Sequence, residues 1–108
     1  MASPILVLST ASSRKEALKI AQILLTNRLA ACVNIVPSVL SLYWWKGRRE
    51  KASEVLLLIK SKKSVFKKLE QTLRKAHSYE VPEIIALPIT AIHQPYLKWM
   101  LKEIDTPL

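Results

Sequence analysis

The sequence predicts an α+β domain of the ferredoxin-like class, ordered β-α-β-β-α-β, with one antiparallel sheet, both helices on one face and an additional C-terminal helix. Three observations lead to this fold class. Short apolar runs and amphipathic stretches follow one another in that order. The 108 residues suit one domain, which we take to span 1–108. Two consecutive strands, 30–45 and 50–61, are unusually long and predict an extended β-hairpin.

The first strand and helix have clear boundaries. Ile5 to Ser9 is a short aliphatic run bounded by a proline and a Thr-Ala-Ser-Ser turn, as expected of a buried strand. Ser13 and Glu16 form a capping-box pattern, with the hydroxyl at the N-cap and the carboxylate three residues later. Asn27 can end the helix. The predicted inner face of this helix contains Ala17, Ile20, Ala21 and Leu24.

The predicted strand 30–45 is apolar at both odd and even positions, so we expect both of its faces to be covered. Pro37 cannot donate a ladder hydrogen bond and predicts a bulge or kink. The turn 46–49 contains the only glycine of the chain. At about 3.3 Å per residue this strand would reach roughly 50 Å, whereas a small domain is about 30 Å across. The hairpin tip, rich in Tyr and Trp, should therefore overhang its own subunit and contact a partner.

The second half of the chain supplies the remaining elements. We expect a helix over 64–76, a strand over 82–89 and a last helix that starts near Pro95. The predicted inner positions of the two helices are Phe66, Leu69, Leu73 and Ala76, and then Tyr96, Leu97, Met100, Leu101 and Ile104.

Composition indicates a self-associating protein. Half of the chain is apolar, yet a domain this small buries only about two thirds of its unfolded surface. Burial against further copies in a symmetric homo-oligomer would cover the surplus. No apolar run approaches the roughly 20 residues of a membrane span, and no signal peptide is recognisable. The single cysteine, Cys32, cannot form a disulfide within the chain, so we predict a cytoplasmic protein.

The net charge of +9 raises the question of nucleic-acid binding. Much of it comes from lysines and arginines between residues 60 and 75, where a solvated helix face is the simplest interpretation. An RNA-binding module built on that basic helix is an alternative. It would need aromatic side chains on the central strands, but 5–9 and 55–59 contain none. Nucleic acid is therefore not the expected partner.

An acylphosphatase-like enzyme shares the same strand order and is a second alternative. Such an enzyme needs a backbone cradle for phosphate after the first strand and an arginine directed into it. The segment 10–13 has no glycine, and Arg14 falls within the predicted helix. The sequence shows no convincing nucleophile or base, so we predict a protein that is not an enzyme.

Several motifs together cover nearly the whole chain. They are Leu29-Ala30-Ala31-Cys32-Val33-Asn34-Ile35-Val36-Pro37, Ser41-Leu42-Tyr43-Trp44-Trp45-Lys46-Gly47, the strand from Glu54 to Lys60, His77-Ser78-Tyr79-Glu80-Val81-Pro82-Glu83-Ile84-Ile85, Leu87-Pro88-Ile89 and Tyr96-Leu97-Lys98-Trp99. In order and spacing this set resembles the CutA divalent-cation-tolerance family. The resemblance implies a homotrimer with PII-like architecture, in which long hairpins pair between subunits. It also implies a role in tolerance to copper and other divalent cations, through metal binding or PII-like signalling, with no cofactor required for folding.

The resemblance directs attention to two possible metal ligands. His77 lies at the end of the basic helix, where the helix dipole favours the protonated form, and it matches a family motif described as contributing to copper ligation. Some members carry further ligands where this chain has Ser9 and Ala76, so a site within one subunit would be incomplete. A histidine that holds the following turn is the structural alternative. Cys32 could bind a soft metal, or it could be a small buried side chain on a covered strand.

The resemblance also implies a cleft between neighbouring subunits. The positions that match it are Tyr43, Trp45, Lys60, Tyr79, Glu80 and Glu83. Aromatic walls combined with one lysine and carboxylates could hold a small anion or a metal chelate. Alternatively, the aromatic rings stack across the interface, and Lys60 forms an ion pair with a glutamate.

Overall fold

The computed structural model describes residues 3–104 and has the predicted element order. It contains four strands, β1 (Pro4–Ala11), β2 (Cys32–Trp45), β3 (Arg48–Lys62) and β4 (Ile85–Pro88), and three helices, α1 (Arg14–Thr26), α2 (Phe66–Ala76) and α3 (Gln94–Glu103). A short 3-10 turn, Lys63–Val65, precedes α2. The sheet is antiparallel with the order β2-β3-β1-β4. The predicted α+β ferredoxin-like arrangement is thus confirmed.

The core lies between the sheet and the pair α1 and α2. Alternate residues of β1 and β3, such as Val7 and Ile59, face each other in register and are fully buried. The helices contribute the predicted inner residues Ala17, Ile20, Leu24, Leu69 and Leu73, all of them buried. Met100 and Ile104 from the C-terminal part also join the core. Burial of these side chains stabilises the subunit and fixes the loops that connect its elements.

The ends of α1 are capped by the predicted residues. The Ser13 hydroxyl accepts a hydrogen bond from the Glu16 N–H at 3.1 Å, as in a capping box. The Glu16 carboxylate, however, reaches Ser12 rather than Ser13, and accepts from its N–H at 2.9 Å and its hydroxyl at 2.8 Å. At the other end Asn27 is the C-cap, and its side-chain amide donates to the Ile23 carbonyl at 2.8 Å. These bonds satisfy backbone groups that a helix end leaves free.

The hairpin of β2 and β3 is long, bulged and closed by a tight turn. The register shifts between Val36 and Val39, which confirms the irregularity predicted at Pro37. Two residues make the turn, Lys46 with φ 51° and Gly47 with φ 77°, so it is shorter than the predicted 46–49. Positive φ at both turn positions is typical of a type I′ hairpin. The subunit measures 44 × 26 × 23 Å, because the hairpin extends beyond the rest of the fold.

The last strand is shorter than the predicted 82–89. Only Ile85–Pro88 pairs with β1, opposite Ile5 to Leu8, and Pro82 lies in the preceding loop. Pro82 has no N–H to donate to a ladder, and this loop instead carries Tyr79 across to the hairpin. The predicted helix start at Pro95 is confirmed, since Pro95 lies in the first turn of α3. No helix of the described part of the chain is long and apolar enough to cross a bilayer.

Candidate functional site

An open cavity of about 660 Å³ lies between the hairpin and the loop that follows α2. The hairpin contributes aromatic and polar side chains, and the loop contributes a tyrosine and two carboxylates. The lining residues are Thr10, Leu40, Ser41, Leu42, Tyr43, Trp45, Glu54, Tyr79, Glu80, Val81 and Glu83. None of these described lining residues is basic. We call this cavity the hairpin pocket.

Glu54 on β3 is the buried acidic group of the hairpin pocket, since the residue is only 8% exposed. It pairs with Val39 across the hairpin, close to the bulge. The Tyr79 hydroxyl donates a hydrogen bond to Glu54 Oε2 at 2.7 Å. Burial, followed by this hydrogen bond to Glu54, raises the pKa of Tyr79 well above its usual value of 10.0. The pair is therefore a neutral phenol that donates to a carboxylate.

His77 holds Tyr79 in that position and is itself buried. Its Nε2 lies 2.6 Å from the Thr10 carbonyl oxygen, and its Nδ1 accepts a hydrogen bond from the Tyr79 N–H at 3.0 Å. A nitrogen that accepts carries no proton, so Nε2–H is the donor to Thr10. Both ring nitrogens of His77 are thus engaged with backbone groups, one on β1 and one in the loop after α2. These bonds match the structural alternative for His77, a histidine that holds the following turn.

Glu16 fixes the same loop from the side of α1. Its Oε2 accepts the Ser78 N–H at 2.7 Å, while Oε1 accepts from Ser12. Burial raises the pKa of Glu16, but the hydrogen bonds from Ser78 and Ser12 outweigh this effect and lower the pKa from 4.5 to about 2. The carboxylate lies 3.8 Å from His77 Nδ1. Glu16 is thus an ionised anchor that joins the start of α1 to the loop after α2.

The structure brings together five of the six residues assigned to the cleft from sequence. Tyr43, Trp45, Tyr79, Glu80 and Glu83 all line the hairpin pocket of one subunit.

Lys60 does not line this pocket. It pairs with Cys32 and Leu6, and its Nζ lies 5.6 Å from the centre of the Tyr96 ring. It lies six positions along the strand from Glu54, which corresponds to roughly 20 Å. Lys60 could therefore join the pocket only from another subunit.

Sequence reasoning missed Glu54 as a site residue. The glutamate stands in a charged stretch at the start of the apolar run Val55 to Ile59. Its burial results from contact with the distant Tyr79. The parity of the strand gave no signal of this burial, because Glu54 lies on the face of Leu56 and Leu58, opposite to that of the core residues Leu57 and Ile59.

The two predicted metal ligands do not meet within a subunit. Cys32 pairs with Lys60, which is opposite Leu6, whereas His77 contacts Thr10, four residues further along β1. The Cys32 thiol lies 3.8 Å from the Asn34 side-chain oxygen. Among residues 3–104 no group of three or more His, Cys, Asp or Glu side chains could hold a metal ion. With both His77 nitrogens already hydrogen-bonded, the residues of one subunit do not fit a copper site at His77 and Cys32.

Comparison with known proteins identifies the family. Residues 5–103 match the family model described as CutA1 divalent ion tolerance protein. The chain belongs to the CutA1 divalent ion tolerance family. This family is described by an ion-tolerance phenotype and not by an enzymatic reaction, and the match confirms the resemblance seen in the sequence motifs.

Individual relatives agree with this assignment. The divalent-cation tolerance protein CutA of Thermus thermophilus is 46% identical over 94 residues, which are 87% of this chain and 91% of that protein. Protein CutA of Mus musculus is 45% identical over 91 residues, 84% of this chain. The chain spans about half the length of this and other curated eukaryotic relatives, 51% in the mouse protein.

Solved structures of family members share the fold. The divalent cation tolerance protein of Thermus thermophilus superposes with a TM-score of 0.92 at 42% identity and covers 94% of this chain and 99% of that chain. CutA1 of Oryza sativa superposes with a TM-score of 0.94 at 36% identity, and the match covers 97% of this chain and 96% of that chain. The four-stranded antiparallel sheet with three helices is therefore a CutA1 fold.

Proposed function

We propose that this protein acts as a homotrimer that binds a small cationic ligand, without chemical turnover, in a hairpin pocket placed between subunits. The observation that carries the proposal is Glu54, a buried carboxylate at an aromatic-walled cavity whose described lining contains no basic residue. Such a binding role is compatible with a cytoplasmic protein that takes part in divalent-cation tolerance by a PII-like response to its ligand.

The charge of the hairpin pocket favours a cation. Glu54, Glu80 and Glu83 line it, and their carboxylates attract positive charge in a partly desolvated cavity. Tyr43 adds a ring on which organic ammonium and guanidinium groups can bind. The Trp45 ring also lines the pocket, and the Lys46 ammonium lies 5.8 Å from its centre. Carboxylate oxygens also suit hard divalent cations better than copper. Because no three His, Cys, Asp or Glu side chains of the described residues could hold a metal ion within one subunit, a metal would need a ligand from a neighbouring subunit, whereas an organic cation would not.

The trimer explains the position of Lys60. This residue matches the family cleft, yet in one subunit it is roughly 20 Å along the strand from Glu54. A neighbouring subunit could present its own Lys60 to the hairpin pocket. That arrangement would keep open the alternative predicted from sequence, a small anion bound between Lys60 and the aromatic walls.

The loop after β1 does not favour the alternative function of acyl phosphate hydrolysis. It leads directly into α1, and the Glu16 carboxylate already accepts the Ser12 N–H at the point where a phosphate would need free donors. Arg14 is exposed on the helix. A phosphate in this loop would meet a negative charge.

The test is titration of the purified protein by isothermal calorimetry with manganese(II) chloride, tetramethylammonium chloride and sodium phosphate. We expect heat of binding with a cation and none with phosphate. Glu54→Gln keeps an acceptor for the Tyr79 hydroxyl but removes the charge. It should therefore lower the affinity for the cation at least tenfold, or by about 1.4 kcal/mol. The manganese and tetramethylammonium arms distinguish a metal from an organic cation.

The control variant is Glu50→Gln, which removes an exposed carboxylate of the same strand that does not line the pocket. It should bind like the wild type. If the wild type binds phosphate and Lys60→Gln does not, the proposal of a cationic ligand is wrong and the alternative of an anion-binding cleft is supported. Equal losses in Glu54→Gln and Glu50→Gln would show that the pocket is not the site.

A further inference from the structure

A group of exposed cations lies on α2 and the turn before it, apart from the four cations of the hairpin, Lys46, Arg48, Arg49 and Lys51. The exposed side of α2 and of the 3-10 turn before it consists of seven positions, Lys63, Ser64, Lys67, Lys68, Gln71, Arg74 and Lys75. The same helix buries Leu69 and Leu73. The apolar face therefore fixes which side of α2 meets solvent, and the one carboxylate of this helix, Glu70, is half-buried and stands four residues before Arg74.

Helix α1 extends this surface. Lys15 and Lys19 are exposed and lie beside Ala76 and Ser78 at the end of α2, since all four line one surface depression. We define the basic face as the exposed cations of α2, of the 3-10 turn before it and of the side of α1 nearest to α2, without Arg14: Lys15, Lys19, Lys63, Lys67, Lys68, Arg74 and Lys75. The acidic residue of α1, Glu16, lines the same depression, and its carboxylate accepts hydrogen bonds from Ser12 and Ser78 there.

The cations of the basic face have no ionic partner within residues 3–104. The ion pair found there, Arg28 with Glu103, includes no member of the basic face. His77 Nδ1 and Glu16 Oε2 lie 3.8 Å apart, and neither residue belongs to it. The arrangement is a row of unneutralised charges held on a rigid helix, about 12 Å from Lys67 to Lys75.

We propose that the basic face binds the phosphate backbone of double-stranded nucleic acid without sequence specificity. A duplex presents one negative charge per about 1.7 Å of its axis, and lysines that neutralise phosphates release condensed counterions. The exposed positions of α2 include no large apolar side chain that could enter a membrane. The large exposed aromatic side chains lie on the hairpin and on α3, so the basic face lacks the rings that stack single-stranded bases.

The test measures fluorescence anisotropy of a labelled DNA duplex of about 20 base pairs at salt concentrations between about 50 and about 200 mM. With about four phosphate contacts, the affinity should fall roughly 100-fold across that range. Lys67→Gln/Lys68→Gln should weaken binding at least tenfold at the lower salt concentration and reduce the slope of log affinity against log salt by about 2. Glutamine is a good helix former, so α2 should remain folded.

The control is Lys98→Gln/Lys102→Gln, which removes the same charge from exposed positions on α3. It should bind the duplex nearly like the wild type. Equal weakening by both double variants would overturn the proposal, because it would indicate attraction by net charge alone. The proposal also fails if the wild type does not bind at low salt, or binds the single strand more tightly than the duplex. Binding of the wild type to phosphatidylserine vesicles but not to the duplex would also contradict the proposal. None of these outcomes bears on the hairpin pocket.

Discussion

At the scale of single residues, two buried serines show how hydrogen bonding decides the contribution of a side chain. Ser9 on β1 and Ser61 on β3 are both fully buried and face the same side of the sheet. The Ser61 hydroxyl donates to the Leu29 carbonyl at 2.7 Å. The Ser9 hydroxyl has no partner in the described structure. A buried polar atom without a partner costs about 1 to 3 kcal/mol.

Ser9→Ala should therefore leave the free energy of unfolding unchanged or raise it by about 1 kcal/mol. Ser61→Ala should lower it by about 1 to 3 kcal/mol, because it leaves the Leu29 carbonyl unpaired in the core. Urea unfolding of both variants at one protein concentration provides the comparison. A larger loss for Ser9→Ala than for Ser61→Ala would contradict the structure.

Glu16 predicts how stability depends on pH. Its pKa is about 2 in the folded protein and 4.5 without the fold, so the unfolded chain binds the proton more readily. The stabilisation by the ionised carboxylate is fully present above about pH 4.5 and is lost as pH falls toward 2. We expect this contribution to be about 1 to 2 kcal/mol once solvent screening is allowed for.

The measurement is chemical unfolding at about pH 7 and about pH 3. Glu16→Gln should be less stable than the wild type at the higher pH, and the gap should narrow at the lower one. Glu70→Gln on α2 serves as the control, since Glu70 makes no hydrogen bond or ion pair in the described structure. A gap between wild type and Glu16→Gln that stays constant across this range would show that the carboxylate is not the anchor.

At the scale of elements, local patterns predicted most of the fold. The capping serine, the proline of α3 and the two inner helix faces each follow from neighbours in sequence, and the structure confirms them. The shortened β4 and the burial of Glu54 could not be predicted in the same way. Both depend on where the loop around Tyr79 crosses to the hairpin, which is a contact between residues 25 positions apart. All six cleft residues came from motif resemblance; five of them line the hairpin pocket of one subunit, and Lys60 does not.

The hairpin turn makes a further prediction. Gly47 has φ 77°, and a Cβ added there would meet no atom within 4 Å. Only the backbone conformation opposes a side chain, so Gly47→Ala should destabilise by about 1 kcal/mol. Gly47→Asn should cost less, because Asn tolerates the left-handed region. Thermal unfolding distinguishes them, and equal melting temperatures for the two variants would argue against the positive φ.

At the scale of the whole molecule, the hairpin leaves a large apolar surface uncovered in one subunit. Leu42 and Trp44 are 72% and 71% exposed, and Leu40 on the same side is 64% exposed. Monomeric proteins rarely expose a continuous stripe of this kind. The hairpin also accounts for the 44 Å length of the subunit. Both observations follow from strands too long and too apolar for one small domain, as the sequence predicted, and both favour association with further copies.

Native mass spectrometry at low micromolar concentration tests this account most directly, with Leu42→Glu/Trp44→Glu as the matched variant. We predict that the wild type is a trimer of the 12.3 kDa chain and that the double variant shifts toward monomer while it keeps its secondary structure. A wild type that remains a folded monomer at that concentration would contradict the account.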